Sequence, residues 1–253
     1  MRVSAVFADI SLLQLALVAI VALIASVIGG VAGYGTGALM PLVLVPIVGP
    51  EPTVPIIALS GLLTNSSRAI AFAQFIDRRR ALLVFAGALL PCMLTAYGYT
   101  LLTGKGAMIV IGTMLVLTVP LRYLLKQRAI MLSDRGLVIG GAGYGAAVGG
   151  TVGAGVILLS VLMAGGLQGA AVVATDAVIS IAIGIVRIGV FGGAGAISAE
   201  VVAFALLIGL VAFPGAFLAK AFVARLPLRI HTAILDTVVL IGGAVMILGA
   251  FRR

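Results

Sequence analysis

The sequence has few of the residues on which soluble folds and metal sites depend. Only 9% of its 253 residues are charged, against about 25% in an average soluble domain, and tryptophan is absent. Cys92 is the single cysteine, which excludes an intramolecular disulfide, a CxxC redox pair and a cysteine zinc cluster. His231 is the single histidine, which argues against a histidine-ligated haem or di-metal centre. We therefore predict no metal site and no cofactor.

Hydrophobic residues make up 63% of the chain, more than a domain of this length can bury in its own core. A lipid bilayer is the solvent that accepts such a surface, and no alternation typical of barrel strands is visible. The sequence therefore predicts an all-α polytopic membrane protein. We assign the formal net charge of +9 to Lys and Arg side chains that hold helix ends on one side of the membrane, and not to nucleic-acid binding.

Nine apolar runs divide the chain, and most are 19 to 28 residues long. That length is enough to cross a hydrocarbon core of about 30 Å at about 1.5 Å per helical residue. The first run has a weak basic flank and no clean cleavage site, so we expect a retained helix and not a signal peptide. The runs are 12–28, 38–48, 53–75, 81–102, 106–125, 136–163, 169–191, 201–223 and 232–251.

A glycine cluster occurs twice at a constant offset of 120 residues. The segment 27–35 aligns with 147–155, and all four of its glycines match. Further apolar runs follow each copy, so the pattern predicts duplication of a unit of about 120 residues, as in many transporters. The predicted organisation is a first transmembrane repeat over 1–125, a basic cytoplasmic connector over 126–135 and a second repeat over 136–253.

Two topologies fit the charge distribution. If each glycine-bearing segment crosses once, eight helices form two parallel repeats; if each is a hairpin, ten crossings form two inverted repeats. Both arrangements place ten Lys and Arg side chains inside and four outside, so the positive-inside rule does not decide between them. Both place the triplet 78–80 and the basic residues of 122–135 in the cytoplasm. We therefore expect about eight helices, with eight to ten crossings.

The glycine clusters themselves have two interpretations. Glycines recur every four residues at 29, 33 and 37 and again at 141, 145, 149 and 153, which on a helix gives a flat stripe for close helix packing. Glycine is also costly inside a helix, by about 1 kcal/mol per residue relative to alanine, and this density favours a break. Two breaks facing each other would present helix N-termini to an anion. The segment 33–37 lacks the features of a nucleotide-binding loop.

Four charged residues inside the apolar runs are candidates for a position at membrane depth: Arg68, Asp176, Arg187 and Asp236. Charged groups at membrane depth are costly and therefore candidates for function. Arg68 either binds the anion or extends to the interface, and for Arg187 extension to the interface is the preferred interpretation. Asp176 is a proton carrier, a partner for an arginine or an interfacial residue, and Asp236 a capping or pairing residue near the surface. Tyr34, Thr36, Tyr144 and Thr151 flank the glycine clusters and carry hydroxyl groups suited to anion oxygens.

These motifs carry a resemblance to a known family. The segment 29–41 reads GGVAGYGTGALMP and is repeated as GGTVGAG over 149–155, and this duplicated unit resembles the sulfite exporter TauE/SafE permease family across nearly the whole chain. In that family an Ala-Thr-Ser-like element opens the helix that follows each glycine stretch. Ala174-Thr175-Asp176 is similar to it, and Ala58-Leu59-Ser60 is a degraded first copy. The second glycine motif departs from the family in lacking the following proline.

The resemblance implies a multi-pass permease of the bacterial inner membrane that exports small sulfur-containing anions such as sulfite, a sulfonate or a related organic acid. The partners it implies are the small anion and the lipid bilayer, with no nucleic acid; a homo-oligomer stays open. The alternative is an assembly subunit packed through its glycine stripes. An enzyme is not expected, because His231 lies beside Arg229 at a segment edge. The residues expected to bind the anion are Gly33, Tyr34, Gly35, Thr36, Asn65, Arg68, Thr151, Gly153, Gly155, Thr175, Asp176 and Arg187.

Overall fold

A computed structural model describes residues 10–32, 35–127, 131–222 and 228–252. Its secondary structure over those ranges is helical throughout, with no strand. Within the described ranges, five segments are long and apolar enough to cross a membrane. The fold therefore confirms the prediction of an all-α, multi-pass architecture. The five segments are Leu12–Gly29, Arg78–Thr100, Gly104–Leu121, Ala170–Gly193 and Ala199–Ala219.

The described residues of the first half form five α-helices and one short 3-10 helix. Two of the breaks between them have evident local causes. Gly49 has a φ of 87°, a conformation that favours glycine, and Pro50 then occupies the first turn of the next helix, where its missing N–H costs nothing. Asp77 caps a later helix by accepting a hydrogen bond from the backbone N–H of Arg80 at 2.9 Å. The elements are α1 (Leu12–Ala32), α2 (Thr36–Val48), α3 (Pro50–Ala71), the 3-10 helix Ala73–Phe75, α4 (Arg78–Thr100) and α5 (Gly104–Gln127).

Two of the predicted apolar runs in the second half are interrupted. The apolar run 136–163 forms two helices and not one, because the chain leaves the helix at the glycine cluster and resumes it at Gly155. The run 201–223 is also interrupted, between Ala212 and Gly215. The elements are α6 (Asp134–Val148), α7 (Gly155–Ala164), α8 (Ala170–Gly193), α9 (Ala199–Ala212), α10 (Gly215–Phe222) and α11 (Leu228–Arg252).

Helices α6 and α7 form an antiparallel hairpin. A Cβ added at Gly140 of α6 would lie 2.9 Å from a methyl group of Val161 on α7, and one added at Gly165 would lie 2.8 Å from Leu137. The open end is closed by the backbone N–H of Leu132, which donates to the carbonyl of Ala164 at 2.7 Å. The glycine-rich residues 149–154 therefore form the tip of a helical hairpin.

The glycine stripe of α6 lies directly on α4. Cβ atoms added at Gly141 and Gly145 would come within 2.3 Å of the carbonyl oxygen of Val84 and 2.2 Å of that of Ala88. The contacts advance in the same direction along both helices, so α4 and α6 are parallel. Both interpretations of the second glycine cluster hold, since its first glycines pack helices together and its last ones end α6.

Helices α3 and α8 cross in opposite directions. Asp176 near the start of α8 contacts Arg68 near the end of α3, whereas Gly184, further along α8, lies against Ala58 and Leu62, earlier in α3. The two helices are therefore antiparallel. They lie between two buried apolar clusters, one built around Met40, Leu44 and Phe204, the other around Leu158 and Ile179.

Candidate functional site

The two glycine-rich breaks meet at a cavity inside the helical bundle. A Cβ added at Gly37 would lie 3.1 Å from the backbone nitrogen of Gly153, so the two breaks are in backbone contact. The cavity has a volume of about 130 Å³ and lies where the two apolar clusters adjoin. Its walls come from both halves of the chain, with residues of α1, α2, α3, α6, α7 and α8. The backbone contact between the breaks depends on glycine, because a larger residue at Gly37 would require one of the two segments to move.

Two helices begin at this cavity. Helix α2 starts at Thr36 after Gly35, and α7 starts at Gly155 after Ala154, and all four residues line the cavity. The first N–H groups of a helix have no intrahelical acceptor, and the helix dipole places partial positive charge at the same end. Neither helix has a side-chain cap at its first turn. The cavity is therefore bordered by two helix ends that favour negative charge.

An ion pair joins α3 and α8 in the wall of the cavity. Arg68 Nη1 donates to Asp176 Oδ2 at 3.0 Å, and the side chains are 13% and 2% exposed. Arg68 Nη2 also donates to Asn65 Oδ1, one turn earlier on α3. Of the three interpretations of Asp176, the structure confirms that it is a partner for an arginine. Arg68 does not extend to the interface, because its charge is held in the protein by these two acceptors.

Arg187 is the second cation of the cavity, and its surroundings differ from those of Arg68. The residue is 6% exposed, so the preferred expectation that it extends to the membrane interface was wrong. Its Nη2 donates to the carbonyl of Thr151 at 3.1 Å, and its guanidinium lies 5.7 Å from the centre of the Phe191 ring. The Nε–H is buried without a hydrogen-bond acceptor, and no ion pair between described residues includes Arg187.

The structure brings most of the predicted binding residues together. Thr151 lines the cavity, although its hydroxyl donates to the carbonyl of Ala147 at 2.5 Å. Thr175 does not line it: the side chain is fully buried and accepts a hydrogen bond from the backbone N–H of Asp77 at 3.0 Å. Gly33 and Tyr34 lie outside the described residues. The predicted residues that line the cavity are Gly35, Thr36, Asn65, Arg68, Thr151, Gly153, Gly155, Asp176 and Arg187.

Some lining residues were missed by the sequence reasoning. Ser180 lies one helical turn after Asp176, and Thr64 lies one turn before Arg68. The helical period could therefore have placed Ser180 on the same helix face as Asp176 and Thr64 on the same face as Arg68. Ser26 also lines the cavity, and its hydroxyl donates to the carbonyl of Ala212 at 2.6 Å. Asp236 is a buried partner of the Tyr123 hydroxyl at 3.2 Å, and this pair does not line the cavity.

A polar cluster between α3 and α4 joins the two halves of the chain beside the start of α8. Arg80 Nε donates to the carbonyl of Gly165 at 2.7 Å, and Arg80 also forms an ion pair with Asp77. The hydrogen bond from the backbone N–H of Arg80 is the main cause that lowers the pKa of Asp77 below the usual 3.8. Because Asp77 also contacts Thr175, this cluster lies one residue from the ion pair of the cavity.

Comparisons with known proteins agree with the resemblance in the sequence. A search of curated proteins gave no match, and a search of solved structures gave none either. A family model, described as sulfite exporter TauE/SafE, matches residues 18–246. That match covers nearly the whole chain, including both glycine clusters and every described residue of the cavity. The chain therefore belongs to the sulfite exporter TauE/SafE family of membrane permeases.

Proposed function

We propose that this permease exports small sulfur-containing anions, namely sulfite, a sulfonate or a related organic acid, across the bacterial inner membrane. The anion binds in the cavity between the N-termini of α2 and α7, next to Arg187. Family membership supports transport of sulfur anions by a membrane protein. The residues of the cavity support the choice of site and the small size of the substrate.

The observation that carries the proposal is that Arg187 is buried with its Nε–H unpaired. A buried guanidinium is stable when a carboxylate or several acceptors compensate its charge, and an unsatisfied buried donor is costly. Arg187 has the carbonyl of Thr151 as its acceptor, while its Nε–H has none. An oxyanion in the cavity would supply both the missing acceptor and the missing negative charge.

The helix ends and the size of the cavity point to the same class of substrate. Arg68 and Asp176 compensate each other, so Arg187 leaves one net positive charge, and the two helix N-termini add partial positive charge. A volume of about 130 Å³ is comparable to the roughly 150 Å³ cavity that holds one benzene molecule. Sulfite or a short sulfonate fits within this volume.

The residues that we assign to the anion site are those predicted residues that line the cavity. Backbone N–H groups at the two breaks donate to the anion, Arg187 supplies charge, and Asn65 orients Arg68. Thr175 is left out because its hydroxyl is used by Asp77. The proposed set is Gly35, Thr36, Asn65, Arg68, Thr151, Gly153, Gly155, Asp176 and Arg187.

We infer that the two halves are inverted repeats. Helix α8 begins 120 residues after α3, and each is preceded by a glycine with positive φ, Gly49 at 87° and Gly169 at 53°. The antiparallel crossing of α3 and α8 supports inverted repeats, because equivalent helices of parallel repeats would run in the same direction. We propose the same boundaries as before, 1–125 and 136–253, with the connector 126–135 between them.

The proposed membrane arrangement follows from the hairpin. Helices α6 and α7 have 15 and 10 residues, about 22 and 15 Å at 1.5 Å per residue, so they reach partway into a core of about 30 Å and return. The segments 131–133 and 165–169 then share the cytoplasmic side with the basic triplet 78–80. The salt bridge between Arg79 and Asp134, with 2.5 Å between Nη2 and Oδ2, supports this placement.

Flux measurements in proteoliposomes test the proposed function. We expect saturable sulfite flux in the wild type and, for Arg187→Gln, a kcat/KM about 10- to 100-fold lower, the size of a lost charged hydrogen bond. Arg187→Lys should fall in between, because the charge remains and the planar guanidinium is lost. The matched control is Arg79→Gln, an exposed arginine away from the cavity. Folded wild type without flux above empty liposomes for sulfite or short sulfonates would contradict the proposal.

The alternative of an assembly subunit gains no support from the glycine stripe. Gly141 and Gly145 pack on α4 of the same chain, so this stripe is used within the molecule.

A further inference from the structure

Asp176 has an unusual environment for a carboxylate that pairs with an arginine. Its Oδ2 accepts a hydrogen bond from Arg68 at 3.0 Å, whereas its Oδ1 is buried and has no hydrogen-bond partner. The side chain is 2% exposed and lines the cavity. One oxygen of the carboxylate is therefore compensated, and the other is a bare acceptor at the proposed anion site.

An anion in the cavity would make it less favourable for Asp176 to be ionised, because its Oδ1 has no hydrogen-bond donor. An ionised carboxylate is an acceptor at both oxygens, and so is a sulfur oxyanion, so the two repel each other with no hydrogen bond between them. A protonated carboxyl instead has one O–H donor, which can bond to an oxygen of the anion. Anion binding thus favours the protonated form of Asp176, and protonation favours anion binding.

We propose that Asp176 is a proton-binding site that is occupied together with the anion, so that one proton accompanies each anion through the permease. The inference rests on the proposed function, because it assigns a second role to the same cavity. By thermodynamic linkage the two ligands raise each other's affinity by the same factor. No covalent bond forms or breaks apart from the transfer of one proton from water to Oδ1 and its release on the other side.

Other ionisable groups around Asp176 do not replace it in this role. Helix α3 contributes Arg68, which donates to the other oxygen of Asp176, and α6 contributes the Tyr144 hydroxyl. Cys92 and Tyr99 of α4 interact with Arg187. Helix α7 and the 3-10 helix have no ionisable side chain. Asp77 contacts the neighbouring part of α8 through Thr175, and its carboxylate pairs with Arg80, which also donates to the carbonyl of Gly165.

The charge balance remains compatible with export. A sulfite dianion together with one proton moves one net negative charge, and an inside-negative potential drives that charge outward. A monoanion together with one proton moves no net charge. The number of protons therefore decides whether the membrane potential acts on the transport step.

Binding measured as a function of pH tests the inference without transport. The probe is methanesulfonate, the anion of a strong acid whose charge is constant between pH 5 and 9, titrated calorimetrically into purified wild type. We expect affinity to fall up to tenfold per pH unit above the titration of Asp176. We also expect uptake of about one proton per anion, measured from the binding enthalpy in two buffers of different ionisation enthalpy. Asp176→Asn should bind with pH-independent affinity and no proton uptake, while the control Asp134→Asn should behave as the wild type.

Several results would overturn the inference. Wild-type affinity that does not change with pH, without proton uptake, contradicts it whether or not Asp176→Asn folds, because that measurement needs no variant. A pH dependence that persists in folded Asp176→Asn contradicts it too. Both results leave the anion site intact and are distinct from failure of the proposed function, in which neither methanesulfonate nor sulfite binds the wild type at any pH.

Discussion

Gly37 and Gly153 hold the two breaks in backbone contact, with 3.1 Å between the position of a Cβ on Gly37 and the backbone nitrogen of Gly153. Gly37 lies in the first turn of α2 in the first half of the chain, and Gly153 lies in the tip of the α6–α7 hairpin in the second half. The cavity that we propose as the anion site lies where these two segments meet. Its shape is therefore sensitive to a single methyl group at this contact.

Gly37→Ala should weaken transport without unfolding the protein. The new methyl group must push the Gly153 backbone away by a few tenths of an ångström, which separates the two helix ends that face the anion. We expect about a tenfold lower kcat/KM for sulfite flux, equivalent to about 1.4 kcal/mol. The control is Gly98→Ala on α4, where no atom lies within 4 Å of the new methyl group. Unchanged flux in Gly37→Ala would show that the separation of the breaks does not matter to the anion.

Gly145→Ala should destabilise the fold, in contrast to Gly143→Ala on the same helix. A Cβ at Gly145 would lie 2.2 Å from the carbonyl oxygen of Ala88, and overpacking of this kind costs about 1 to 3 kcal/mol. At Gly143 the space is open, so alanine should stabilise the helix by up to about 1 kcal/mol. Thermal unfolding followed by circular dichroism in detergent measures both. Equal midpoints for the two variants would argue against close packing of α4 and α6.

Cysteine labelling should separate the two topologies. The native Cys92 is buried, and replacing it by alanine gives a background for single cysteines at the exposed positions Gln168 and Ala194. If α6 and α7 form a hairpin that returns to its side of entry, Gln168→Cys reacts with an impermeant maleimide from the cytoplasm and Ala194→Cys from outside. The opposite pattern would mean that the segment 136–163 crosses once and that the repeats are parallel.

Asp77→Ala should lower stability in a pH-dependent way. The backbone N–H of Arg80 lowers the pKa of Asp77 below 3.8, so its contribution is complete above that pH and is lost as the pH falls through the lowered pKa. We expect a loss of about 1 kcal/mol at neutral pH, typical of a removed helix cap, that shrinks in acid. Ser133→Ala removes the cap of α6 and should cost a similar amount at every pH. An Asp77→Ala effect independent of pH would contradict the role of the ionised carboxylate.

The sequence by itself determined the class and family of the protein. A 63% hydrophobic composition with long apolar runs requires a bilayer, and backbone groups in lipid must be paired within helices. The resemblance to the family rested on the two glycine clusters, and the family match over residues 18–246 confirms it. Buried charges at Arg68 and Asp176 stood out for the same reason, since charged residues at membrane depth are rare.

The tertiary structure decided which of these residues meet. Arg68 and Asp176 are 108 positions apart, and no local pattern in the sequence pairs them. The distance of Arg187 from the end of its apolar run suggested an interfacial residue, but the packing of α8 against the first half of the chain buries it beside the tip of the second break. The direction in which each helix crosses the membrane belongs to our proposal, because the positive-inside count is the same for both topologies. Contacts between distant segments decide which residues pair and which are buried, since burial and pairing are properties of the packed helices and not of one helix.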